Sequence, residues 1–529
     1  MNFDDLNEEP QWIWPAALTA AGLILFLVYL RQARTSEVMS DGASNVMQAW
    51  DMLHGNLLLH GWTLSDVSFY TTELPQYMMI AAIRGLSTDV VPIAAAITYT
   101  LLVLGAALLA KGRAHGAEGA TRALIAVGVM LAPSPGIGTN ALLDHADHTG
   151  TQVPLIAVWL ILDRAPRSWP TPVVVTLLLA WAQVADPLVF YEGALPIAGV
   201  FLARAYRHRY TFRGQRYEIS LAGGALTSVG LASLILRLIH HAGGFTVVPA
   251  GNGFISIQTW YDHLGVTMQS VLVLFGADFS GQQIGVSAAS ALVHLTGVAL
   301  VSWAFGRALR RFVASEPVVQ VLVVAIAVLL VAYTVRSTDT FPGGAHEIAG
   351  MLPLGAALAG RTLAEPLMRG RHIPVMVVIS ACYAGILLHN AVQPAPPDHD
   401  RSVAVWLADH HLEYGLASYW TANAVTVDSA EGIQVRAVNR YGHELAQVPW
   451  ESVESWYDPA LHDARFLIAS GRPAPCPHDT LTGWLTAARA TFGQPASTYR
   501  VDGFLILVWN HNLLNHHLTK ATPSVPTAC

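Results

Sequence analysis

The chain has 529 residues, 53% of them hydrophobic and only 12% charged, and a net charge of -7. That charged share is about half that of an ordinary soluble domain, which excludes a soluble globular protein and predicts a membrane one, while the negative balance argues against nucleic acid as a partner. Three cysteines cannot make a disulfide scaffold; a Cys476–Cys529 pair is conceivable, and unpaired thiols are the preferred reading.

Uncharged apolar windows long enough to cross a bilayer recur along most of the chain. Eleven spans are predicted, near 12–30, 90–110, 121–138, 149–162, 171–185, 189–203, 219–240, 285–306, 317–335, 346–360 and 373–390. The first is expected to stay as an anchor, because its apolar run is too long for a cleavable signal and its leader MNFDDLNEEP is acidic. Cationic loops remain on the cytoplasmic side. With the N-terminus inside, sixteen Lys and Arg fall in inner loops and only Arg31, Arg34, Arg84 and Arg336 in outer ones. The expected placement is therefore a multi-pass cell-membrane protein with a cytoplasmic N-terminus and an extracytoplasmic C-terminus.

The first outer loop, 31–89, holds two short amphipathic stretches, about 43–54 and 75–86, that read as helices lying in the membrane interface. Ser40 or Asp41 is expected to cap the first, and Glu73 stands just before the second. The next outer loop contains "LLDHADHTGTQVP", with Asp144, His145, Asp147 and His148 ahead of an apolar run of only 14 residues. Such a helix is about 21 Å long, short of roughly 30 Å of hydrocarbon, so this cluster is expected to be recessed in a wet cavity. Ionisable residues there are a functional hypothesis by default. Further along, Asp186 and Glu192 flank a tight outer turn, Trp260 and Tyr261 lie in the long outer loop before the eighth span, and Arg336 and His346 flank "STDTFPGGA".

Beyond the Pro-rich linker QPAPPD, residues 395–529 form a separate extracytoplasmic α/β domain next to the transmembrane module 1–394. "DRSVAVWLADHHL" and "DTLTGWLTAARATFG" read as helices, the second closed by Gly493; "ASYWTANAVTV", "GIQVRAV", "ARFLIAS" and "YRVDGFLILVWN" read as strands.

An N-inside chain whose long first outer loop carries an Asp just after the first span and two interfacial helices, followed by a second outer loop with carboxylates, resembles the GT-C glycosyltransferases. The likeness is to the branch of protein O-mannosyltransferases, aminoarabinose transferases and oligosaccharyltransferase catalytic subunits. The appended domain looks like that of relatives in Gram-positive, high-GC bacteria. The resemblance implies transfer of a monosaccharide from a polyprenyl-phosphate donor to an extracytoplasmic glycan, lipid or protein, with inversion at the anomeric carbon. It places the family's first-loop acid on Asp41, as general base, and its second-loop acid on Asp144 or Asp147. Many relatives carry an acidic pair at the first position; here Ser40-Asp41-Gly42 has one carboxylate.

Few cations are available outside to meet the leaving phosphate, which selects Arg336 and Arg84, with His145, His148 and His346 as donors. Glu73, Asp186, Trp260 and Tyr261 are candidate substrate contacts. If 144–148 is helical, Asp144, His145, Asp147 and His148 could share a divalent Mg, Mn or Zn ion; a metal-free site is preferred, and plain loop capping is the third reading. Two rivals to the enzyme are a lipid or glycan flippase using the same cavity and a non-catalytic cell-envelope scaffold.

Overall fold

The computed structural model describes residues 13–207, 212–249, 253–336, 342–369, 373–470 and 480–520. Cys476 and Cys529 lie outside them. A helix apolar all round has no face to turn to water and must be buried in protein or lipid. That is the character of α1 (Ile13–Ala33), whose Leu23, Ile24 and Leu27 remain exposed on the protein surface. After it come α2 (Ser40–Leu53), the short strand β1 (Trp62–Leu64) and α3 (Glu73–Arg84). The bundle continues with α4 (Val90–Lys111), α5 (Gly116–Met130), α6 (Ile137–Leu142), α7 (Thr149–Arg164), α8 (Pro170–Ala185), α9 (Leu195–Arg207) and α10 (Phe212–His241). Strand β2 (Thr246–Val247) and α11 (Trp260–Leu274) precede α12 (Val286–Arg310), α13 (Pro317–Arg336), α14 (Met351–Arg369) and α15 (Ile373–Ala391).

Among the described residues, Val90–Lys111, Gln215–His241, Val286–Arg310, Pro317–Arg336 and Pro374–Ala391 are each long and apolar enough to cross a membrane, with Leu18–Ala33 and Pro170–Ala185 as shorter apolar helices. The protein is a multi-pass membrane protein. Several sequence boundaries move. The span expected at 121–138 stops at Met130, ahead of Pro133 and Pro135. The one expected at 346–360 starts at Met351 and runs to Arg369, because Arg361 is buried in ion pairs with Asp163 (2.5 Å) and Glu316 (2.9 Å) and so need not end the helix. The loop before α12 contains α11, packed on α13.

The C-terminal region opens with α16 (His399–Asp409), whose first turn is capped by Asp398 accepting from Arg401 N at 3.0 Å. There follow β3 (Tyr414–Ala417), α17 (Tyr419–Asp428), β4 (Gln434–Tyr441), β5 (Glu444–Gln447), β6 (Ser452–Val453), β7 (Phe466–Ser470), α18 (Leu481–Phe492), β8 (Ser497–Val501), β9 (Phe504–Val508) and β10 (Thr519–Lys520). Seven strands make one mixed sheet in the order β10-β5-β4-β3-β7-β9-β8, parallel at its centre where β3 lies between β4 and β7. Two expected strands differ. "ASYWTANAVTV" is mostly the helix α17: Tyr419, Ala422 and Val425 enter one core while Ala424 and Val427 enter another, so burial on both sides hides the helical period. "YRVDGFLILVWN" is the hairpin β8–β9, turning at Asp502-Gly503 with both φ positive (46° and 89°), as a tight hairpin turn requires.

The α1–α4 loop and the C-terminal domain form one body. Strand β1 pairs parallel with β2 and antiparallel with β6, in the register Trp62↔Val453 and Thr63↔Ser452. Helix α17 packs on α2, and Thr88 donates to Asp428 at 2.7 Å. Val46, Met47, Leu64, Phe245, Ala424 and Val427 share the apolar cluster between them. As a result α2 is buried on nearly every face rather than lying free in the interface, whereas α3 keeps Met79 and Ile83 exposed. The expected cap of α2 is also absent: Ser40 starts the helix and donates instead to the carbonyl of Tyr419.

The first turn of α7 comes so close to α3 that a Cβ on Gly150 would lie 2.7 Å from Glu73 Cγ. Gly150→Ala is therefore expected to destabilise the fold by about 1–3 kcal/mol, read as a lower thermal midpoint in detergent; an unchanged midpoint contradicts this packing.

Candidate active site

The first turn of α2 sets Asp41 at the meeting point of the bundle and the C-terminal domain. Its neighbour has no room for a side chain, since a Cβ on Gly42 would stand 2.7 Å from Val91 Cγ1 and 3.3 Å from His145 Cβ. A second carboxylate at this position is thus excluded sterically. A cavity of about 180 Å³ opens there. Its wall takes Asp41 from α2, His145, Asp147 and His148 from the α6–α7 turn, Arg336 from the end of α13, and His346 and Glu347 just beyond. Trp420, Trp450 and Glu451 of the C-terminal domain complete it, with Asp66 from the segment after β1.

Residues 144–148 form a turn rather than a helix, so the helical spacing that would have aimed two ligands at one point is not present. The turn is held by cross-links. Asn45 donates to Asp147 Oδ1 at 2.7 Å, and His145 Nδ1 lies 3.3 Å from Asp147 Oδ2, an ion-pair distance without hydrogen-bond alignment. His148, at φ 58° where a non-glycine residue is uncommon, joins its Nδ1 to Asp186 Oδ2 at 2.8 Å. Asp186 is fixed in turn by Leu188 N at 2.8 Å. The His148 ring stacks on that of His346 with 5.2 Å between centroids and 29° between planes. This is a carboxylate orienting an imidazole, which fixes the direction of the ring.

Charge follows from burial. Loss of water pushes the carboxyls of Asp147 and Glu73 up to about 8 and that of Asp144 to about 7, with nearby acids adding to the effect. Burial alone would lower His148, but the charge and hydrogen bond of Asp186, backed by Glu347 and Asp147, outweigh it and lift the imidazole to about 10. His148 is therefore a cation near neutral pH. Burial also raises Asp66, opposed by His148 and Arg336.

Among the sequence candidates, Asp41, His145, Asp147, His148, Arg336 and His346 converge on the cavity. Asp144 is buried beside them, close enough to feel the charge of Asp41. Others lie elsewhere. Glu73 is sealed beneath α7, accepting from Thr151 at 2.7 Å, and Asp186 stands behind His148 rather than on the wall. Arg84 is half exposed and paired with Asp89 at 2.8 Å, where Arg34 also binds, so a surface ion pair claims it. Trp260 and Tyr261 start α11 with exposed rings, the usual place for aromatics at a membrane interface. No group of three or more His, Cys, Asp or Glu among the described residues is placed to hold a metal ion as the side chains stand; Asp147 Oδ1 accepts from Asn45 and His148 Nδ1 pairs with Asp186. Glu347, expected beside His346 as an orienting carboxylate, is on the wall as well. Asp66, Tyr419, Trp420, Trp450 and Glu451 were not anticipated: nothing local marks them, and only the docking of distant segments brings them here.

An unfolded Asp titrates near 3.9, so Asp147 holds its proton more tightly in the fold, and its contribution to stability is lost as pH rises from about 4 to about 8. Asp147→Asn, which keeps the oxygen facing Asn45, is expected to flatten that part of the curve and to exceed wild type by about 1–3 kcal/mol at a pH of about 9. Thermal unfolding in detergent across this range checks it. Equal wild-type and mutant slopes contradict the buried, protonated carboxyl.

By sequence the chain matches no known protein family and no curated protein. By structure it matches ArnT from Cupriavidus metallidurans, solved bound to undecaprenyl phosphate, at 11% identity over 94% of this chain and 98% of that one, with a TM-score of 0.52. A match to the Archaeoglobus fulgidus oligosaccharyltransferase, solved with Zn and sulfate, has 13% identity over 92% of this chain and 73% of that one and a TM-score of 0.49; the assignment rests on the first. With its helical bundle and C-terminal sheet region, the chain has the GT-C fold of the ArnT structure.

Proposed function

We propose that the protein is a membrane glycosyltransferase that moves a monosaccharide from a polyprenyl-phosphate donor to an acceptor outside the cytoplasm. The observation that carries this reading is the convergence of Asp41 and Asp147, about a hundred residues apart in sequence, with the cations Arg336 and His148 on one cavity. A sugar on a polyprenyl phosphate is already activated. What remains is to deprotonate an acceptor hydroxyl, hold it in line with the anomeric carbon and meet the charge on the departing phosphate. The lipid bound to ArnT supports a polyprenyl donor.

In this scheme the acceptor O–H gives its proton to Asp41. The acceptor oxygen forms its bond to the anomeric carbon as the bond from that carbon to the phosphate oxygen breaks, and the electron pair leaves with the phosphate. Arg336, with its planar fork of donors, and His148, held cationic by Asp186, take up that charge. A single displacement inverts the anomeric centre. Asp147 positions the acceptor through the turn that Asn45 fixes, His346 carries the stacked imidazole pair, and His145 adds a donor at the rim. The chemistry is written with protein groups alone, a metal-free route. In the membrane the N-terminus faces the cytoplasm and residues 395–529 form an extracytoplasmic domain.

Membranes supplied with radiolabelled polyprenyl-phosphate sugars and cell-envelope acceptors test the reading. Wild type is expected to transfer label, and Asp41→Asn to lose about a hundredfold or more. Arg336→Ala is expected to slow transfer by about a hundredfold, with Arg336→Lys recovering part of it. Translocation of donor without transfer by wild type would show a flippase instead, and equal transfer by wild type and Asp41→Asn removes Asp41 as base.

A further inference from the structure

The cavity contains a proton-counting problem. Tyr419 Oη lies within hydrogen-bond distance of two carboxyl groups at once, Asp41 Oδ1 and, at 2.6 Å, Glu451 Oε2. A phenol carries one proton and can donate to only one of them. The other contact holds only if that carboxyl brings a proton of its own. The two acids are not equivalent: Glu451 is 3% exposed, closed in by Tyr419 and the Ser44 hydroxyl, whereas Asp41 is only half buried, at the cavity wall. Burying a charge costs more than burying a neutral acid, which puts the extra proton on Glu451. Burial, reinforced by the neighbouring charge of Asp41, pushes Glu451 well above the usual carboxyl range, in agreement.

Glu451 also has an unusual backbone: its φ is 49°, in the left-handed region that non-glycine residues seldom adopt. The next two residues are β6, paired to β1 of the bundle's own loop. The strand pairing thus fixes the side chain of a C-terminal residue against the first turn of α2. On the other side, Ser40 holds the carbonyl of Tyr419.

We propose that Glu451, carried in from the C-terminal domain, is a positioning residue for Asp41: it donates its proton to the Tyr419 oxygen, Tyr419 donates to Asp41 Oδ1, and Oδ2 is left facing the acceptor. Glu451 reaches Asp41 from about 400 residues away in the chain. This proposal rests on Asp41 as the base of a sugar transfer, and it makes the C-terminal domain part of the catalytic site rather than an appended binding module.

Two measurements on the full-length protein test it. The infrared carbonyl stretch of a protonated, buried carboxylic acid is expected to lose one component in Glu451→Gln relative to wild type at neutral pH; identical spectra overturn the proposal, whether or not sugar is transferred. In the transfer assay, Glu451→Gln keeps an N–H to donate to Tyr419 and is expected to stay within about threefold of wild type, whereas Glu451→Ala and Tyr419→Phe lose about tenfold or more in kcat with little change in KM for the donor. Thermal midpoints identify any variant that fails to fold, and Tyr419→Phe, nearly isosteric, carries the test if Glu451→Ala does not. Wild-type rates in folded Tyr419→Phe, or Glu451→Gln as slow as Glu451→Ala, overturn it. No transfer by wild type would instead remove the proposed function and leave the infrared result to decide the proton alone.

Discussion

Six carboxyl groups, Asp41, Glu73, Asp144, Asp147, Asp186 and Glu451, are packed within a few side chains of one another in a region that largely excludes water. Like charges so placed cannot all ionise. The structure answers this in two ways: burial pushes some acids toward their neutral form, as at Asp144, Asp147, Glu73 and Glu451, and one is matched to a cation, as Asp186 is to His148. Removing either device leaves uncompensated charge in the space where the bundle and the C-terminal domain meet. The architecture around the site reads as the set of contacts needed to keep that space closed.

Those contacts are mostly backbone and apolar. The β2-β1-β6 sheet joins three segments that are distant in sequence, and the cluster of Val46, Met47, Phe245, Ala424 and Val427 excludes water behind it. Strand pairing fixes distance and register, while apolar packing supplies most of the driving force. Close approaches at Gly42 and Gly150 then let α2 touch the 144–148 turn and let α7 touch Glu73. Groups at and beside the cavity are held from outside it: Asp147 by Asn45, His148 by Asp186, Tyr419 through its carbonyl by Ser40. A group fixed in this way spends little energy on reorganisation when substrate arrives.

The division of the site between bundle and domain bears on how such a fold is put to use. The bundle presents Asp41, the imidazoles and Arg336. The domain brings Trp420, Trp450 and Glu451 to the opposite wall. Aromatic faces stack on apolar faces of rings, so under the proposed transfer this wall faces the acceptor, while Tyr419 and Glu451 tie the same domain to Asp41.

Much of this was readable in the sequence, and the reason is periodicity and composition. Low charge and recurrent apolar windows dictate a membrane bundle, and Gly493 closes α18 where the sequence places the end of that helix. Asp147 and His148 stood out because ionisable groups beside a short membrane span are costly to keep, Arg336 because the outer loops hold few cations, and Asp41 through the family resemblance. What the sequence could not show is which of these charges meet. Arg84 resembles Arg336 until Asp89 is seen beside it, Glu73 resembles Asp41 until α7 covers it, and Tyr419 reads as a strand residue because both faces of its helix are buried. Glu451 carries no local mark at all. Its role depends on a strand pairing and a helix contact between segments hundreds of residues apart, and such pairings are decided only when the whole chain has closed on itself.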